Sequence, residues 1–123
     1  MNIGHKDWFP VYINPTLEEI EELTDQQWDT LRILVVSDTK ELCIASGYGN
    51  THSTMVKCLQ ANKQKRRVHT QDAILYFEGN RAYINDSYSD LGDKIPAKHW
   101  NRLFEENHRS ILEVLATNRG LQL

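Results

Sequence analysis

The chain has 123 residues, 40% of them apolar and 25% charged, and a formal net charge of −3. That length suits one domain with one core over 1–123, and the balance of apolar and charged residues excludes a disordered or fibrous chain. The acidic net charge argues against wholesale attraction to nucleic acid, although a local basic patch still has the means to bind it.

No basic start leads into an apolar run, and no window nears the roughly 20 apolar residues that span a bilayer. The expectation is a cytoplasmic protein without membrane contact. Cys43 and Cys58 fall in different expected elements, with no CxxC and no histidine at ligand spacing. This speaks for reduced thiols and against a zinc site or disulfide framework. The glycine fingerprints of nucleotide sites, the HExxH zinc motif and the GxSxG nucleophile elbow are all missing, so no cofactor and no metal is expected.

In chain order, 8–13 mixes aromatic and β-branched residues and stops at Asn14-Pro15, as a first strand ended by a turn does. Thr16 and Glu19 have the spacing of a capping box, and Leu17, Ile20 and Leu23 continue it at helical spacing. Trp28 anchors the following segment to the core. The nearly continuous apolar run 31–36, the polar 37–40 and the strand-like 41–45 read as a hairpin. After the loop 46–50, His52, Met55, Val56 and Leu59 line one side of a helix that leaves through a basic segment, 63–67. A second hairpin pairs 73–77 with 81–85 around Gly79-Asn80. The polar loop 86–95 then leads to Pro96, suited to the first turn of a helix, on which Trp100, Leu103, Phe104, Ile111, Val114 and Leu115 form a stripe. The expected fold class is α+β: two β-hairpins forming an antiparallel sheet, with helices on one face and a C-terminal amphipathic helix.

Both hairpins exit through a polar loop carrying a tyrosine. If the hairpins share one sheet, these loops lie near the same edge and bring Tyr48, Asn50 and His52 toward Asp86, Tyr88 and Asp90. The six are the candidate binding residues. Tyrosine offers an apolar face and a polar tip for recognition, and equally suits packing over a sheet edge. His52 reads first as a half-buried member of the Met55–Val56–Leu59 stripe. Its functional reading is an anion contact at a helix start, or a general base paired with Asp86 or Asp90. His52-Ser53-Thr54 also fits the HxT pattern of two-histidine phosphoesterases, but no second HxT lies on an expected strand. Lys63, Lys65, Arg66, Arg67 and His69 form the densest basic cluster. It reads first as a solvated turn, since no aromatic residue is interleaved for base stacking; the second reading is a phosphate contact through Lys65, Arg66 and Arg67.

The aromatic residues before Asn14-Pro15-Thr16, Glu19 three positions later, and the hairpin followed by Tyr48 and His52 resemble short phage-encoded proteins of uncharacterised function, over the first half of the chain. The resemblance implies a viral origin and a role in binding a host component to counter host defence. The leading expectation is a non-enzymatic binding protein for a host protein or a small phosphorylated, nucleotide-like ligand, with nucleic acid not expected as a partner. One alternative is a metal-independent hydrolase or phosphodiesterase using His52 with Asp86 or Asp90. The other is a structural component that forms homo-oligomers through sheet edges or the terminal helix.

Overall fold

The computed structural model describes residues 1–4, 10–25, 30–46, 51–85, 94–96 and 106–120. In chain order the elements are β1 (Val11–Ile13), α1 (Leu17–Asp25), β2 (Thr30–Val36), β3 (Leu42–Ala45), α2 (Thr51–Lys63), β4 (Thr70–Glu78), β5 (Arg81–Asn85), β6 (Lys94–Pro96) and α3 (Glu106–Asn118). The strands form one antiparallel sheet in the order β1-β3-β2-β4-β5-β6. Both expected hairpins are present, and β2 pairs with β4 to join them. The α+β class follows directly.

Local chemistry explains the element ends. Thr16 Oγ1 accepts from the Glu19 amide at 3.2 Å, and Glu19 Oε1 accepts from the Thr16 amide at 3.0 Å, so the capping box starts α1. The Asn14 amide donates to the Leu42 carbonyl at 2.8 Å, and its side-chain oxygen accepts from the Leu42 amide at 3.2 Å. Those two bonds hold the chain beside β3 as it leaves β1. Gly79 takes φ +61° at the first position of the two-residue β4–β5 turn, where a II′ geometry demands a positive angle.

Apart from Arg32 the run 31–36 is apolar, because both faces of the sheet are covered. Leu31, Ile33 and Val35 face one core with Leu42, Ile44, Leu75 and Ile84, closed by Ile20 and Leu23 of α1 and by Leu112 and Leu115 of α3. Leu34 and Val36 face the other way, with Val11, Ile13, Cys43 and Ala45, against Met55 and Leu59 of α2. Helices on one face therefore describes α1 and α3, whereas α2 lies on the opposite face. Its amphipathic stripe needed an apolar surface, and the α2-side residues of β1, β3 and β2 supply one.

Pro96 is a second correction. It ends β6, opposite Tyr83, in place of opening a helix. An outer strand tolerates proline because the missing N–H costs no ladder bond on the unpaired side. Of the expected aromatic anchors, Trp8, Trp28, Trp100 and Phe104 lie outside the described residues, and Phe77 is placed in β4 by its backbone.

Ala45, Arg32, Ile74 and Asn85 stand in one row across β3, β2, β4 and β5. Three strand spacings, about 14 Å, separate its ends. β3 and β5 run antiparallel to each other, so the turns of the two hairpins lie at opposite ends of the sheet. Tyr48, Asn50, Asp86, Tyr88 and Asp90, beyond those strands, lie outside the described residues. No helix among the described residues is long and apolar enough to cross a membrane.

Candidate functional site: a basic hollow where β2 ends and β4 begins

The turn after β2 and the segment before β4 meet at one end of the sheet. The Ser37 amide donates to the His69 carbonyl at 2.9 Å, which clamps the two together. The β2–β3 turn is closed by Lys40, in the left-handed region at φ +61°, whose amide donates to the Val36 carbonyl at 2.7 Å. From the other face of the sheet, His108 of α3 is buried, and its Nε2–H donates to the Lys40 carbonyl at 2.7 Å. α2 ends with Gln64 at φ +53° and a Lys65 amide that donates to the Gln60 carbonyl at 3.1 Å. This left-handed cap turns the chain from α2 into the basic segment.

Between these two walls lies a hollow of about 200 Å³ lined by Ser37, Asp38, Lys63, Lys65, Arg67, Val68 and His69. Three cations face one carboxylate there, in a chain whose net charge is −3. Lys63 is held by Glu41 in a half-buried ion pair, and Glu41 also accepts from the Thr39 hydroxyl at 2.6 Å. Lys65 sits 3.7 Å from Asp38 Oδ2, with both side chains largely exposed. Solvent screening makes that second pair weak. The side chains of Arg67 and His69 have no hydrogen-bond or ion-pair partner among the described residues. Lys65 and Arg67 thus line the hollow as the phosphate reading expects. Arg66 lies outside it, its carbonyl accepting from Gln60 Nε2 at 2.8 Å.

The Lys63 ammonium, and after it the Thr39 hydroxyl, hold the Glu41 carboxyl below its ordinary value of 4.5. A carboxylate lowered in the folded chain contributes stability that is present above its ordinary pKa and lost as the pH falls through its folded value. Glu41→Gln is therefore less stable than the parent at pH values above the ordinary 4.5, and the two melting temperatures converge as the pH falls below it. Thermal melts across that range check the sign and the window.

His52 opens α2 and is half-buried. Its Nε2 lies 3.7 Å from Oδ1 of Asp72 on β4, and that same oxygen accepts from the Thr70 hydroxyl at 3.0 Å. Asp72 was not among the expected site residues. The signal was its i, i+2 spacing from Thr70, which puts both on one face of a strand, but only the packing of α2 over that face brings His52 to them. At 3.7 Å the pair is beyond hydrogen-bond distance and attracts when the imidazole is protonated. Asp86 and Asp90, the partners expected for His52, lie outside the described residues.

Cys43 is buried against α2, and burial, with smaller contributions from Cys58 and Glu41, pushes its thiol up to about 12. At neutral pH it carries no thiolate with which to act as a nucleophile. Among the described residues no group of three His, Cys, Asp or Glu side chains is placed to hold a metal ion.

No family model, curated protein or solved structure matches this chain.

Proposed function

We propose that the chain is a non-enzymatic binding protein for a small phosphorylated ligand, seated in the hollow between the β2–β3 turn and the α2–β4 connection. One observation carries the reading: Lys63, Lys65, Arg67 and His69 converge on a single concave site in an otherwise acidic chain, with Arg67 and His69 unengaged among the described residues. Concavity focuses the field of these cations on whatever enters, and Arg67 offers the planar donor fork that matches a phosphate. The Ser37–His69 clamp and the His108–Lys40 bond keep the walls in place before a ligand arrives, which lowers the ordering cost of binding.

Isothermal titration with inorganic phosphate, at low and at physiological ionic strength, tests this. Saturable one-to-one binding that weakens as salt rises is the expected result. Absence of binding at low salt, or an affinity indifferent to salt, overturns the reading.

A further inference from the structure

We infer that the hollow carries its own competitor: the Glu41 carboxylate occupies Lys63 in the free protein, and an anion entering the hollow has to draw that ammonium away from it; this rests on the hollow being an anion site.

Lys63 lines the hollow, whereas its partner Glu41 does not. Both side chains are half-buried, so water screens their attraction only in part. The pair formed by Lys65 and Asp38 is different. It spans 3.7 Å between largely exposed side chains and gives way readily to another anion. Two cations of the lining are thus matched by carboxylates of the β2–β3 turn and its end, and of these two pairs it is Lys63–Glu41 that resists exchange.

Glu41 is the fixed member of its pair. Its backbone carbonyl accepts from the Val36 amide at 2.9 Å, and the turn before it is held at Lys40, whose amide donates to the Val36 carbonyl and whose own carbonyl accepts from His108. Lys63, the last residue of α2, carries its ammonium on a flexible four-carbon stem. The Thr39 hydroxyl donates to the same oxygen of Glu41, Oε1, that takes the ammonium, so the carboxylate keeps a donor when Lys63 leaves. Capture therefore proceeds by the ammonium turning from Glu41 toward the anion, with the turn left in place.

Coupling of this kind is reciprocal. If the charge on Glu41 weakens the capture of an anion, a captured anion makes that charge harder to keep. In the free protein Lys63 holds the Glu41 carboxyl below its ordinary value, with the Thr39 hydroxyl second and with burial and Asp38 opposing. Binding removes the largest of these influences and moves the carboxyl back up.

The test is a double-mutant cycle read by titration calorimetry with inorganic phosphate at neutral pH, on the parent, Glu41→Gln, Lys63→Met and the double variant. Glu41→Gln binds phosphate about tenfold tighter than the parent, as the release of one charge-assisted bond provides. With Lys63→Met in the background the gain falls to about threefold or less, since only screened repulsion between Glu41 and the anion is left to relieve. No gain in Glu41→Gln, or the same gain in both backgrounds, overturns the competition and leaves the anion site standing. A second measurement needs no variant: the side-chain carboxyl ¹³C shift of Glu41 in the parent, followed against pH with and without saturating phosphate. Its midpoint rises on binding, and a midpoint that stays or falls overturns the competition as well. If neither the parent nor any variant binds phosphate, the anion site itself falls.

Discussion

Leu75→Ala lowers the free energy of unfolding by about 2–5 kcal/mol. Leu75 is fully buried in β4, directly between Leu31 of β2 and Ile84 of β5, and its side chain enters the core closed by α1 and α3. Strands hydrogen-bonded on both sides cannot move in to fill the space, so most of the removed volume persists as a cavity. A domain of this size has about 5–15 kcal/mol to lose, so the loss is a large fraction of its stability. Chemical denaturation reads the effect as a lower midpoint at an unchanged slope. A loss under about 1 kcal/mol would mean that the two-sided core has been misplaced.

Arg67→Gln weakens phosphate binding about tenfold to a hundredfold while leaving the melting temperature unchanged. Its side chain is exposed and makes no bond among the described residues, so the fold does not depend on it. In the hollow, Lys63 is already engaged by Glu41 and Lys65 is shared with Asp38. Arg67 is therefore the cation with most to give an incoming anion, and a charge-assisted bond is worth about 1.5–3 kcal/mol. Arg67→Lys keeps the charge but not the fork, and recovers only part of the affinity. Calorimetry on the two variants measures both effects; an affinity for phosphate that Arg67→Gln does not change contradicts the assignment of the site.

The sheet was legible because its signals are local. The apolar run 31–36, the 37–40 turn and the glycine at 79 mark two hairpins, and the second strand of the second hairpin matches the expected 81–85 to the residue. The same run also carried the sign of two-sided burial, since alternation is lost when both faces are covered. Which helix covers which face was not legible: Met55 and Leu59 identify an apolar stripe, not the surface it meets. Pro96 illustrates a different limit, because proline fits a helix start and an outer strand equally well, and only the pairing with Tyr83 distinguishes them.

The candidate site divides in the same way. Lys65 and Arg67 stood out as part of a basic cluster, but a charge run reads as a solvated turn until something faces it. What faces it is Ser37 and Asp38, some thirty residues earlier, brought there by β2–β4 pairing and the Ser37–His69 bond. The same holds for Asp72, whose approach to His52 depends on how α2 crosses the sheet. Long-range pairings of this kind leave no periodic trace in a single sequence.

The most direct measurement is a two-dimensional ¹H–¹⁵N titration of the uniformly labelled chain with inorganic phosphate. The account predicts saturable shifts concentrated on the amides of Ser37, Asp38, Lys65, Arg67, Val68 and His69, with those of the β4–β5 turn and α1 unmoved. Shifts that are absent, or that gather on a surface away from these residues, would contradict it.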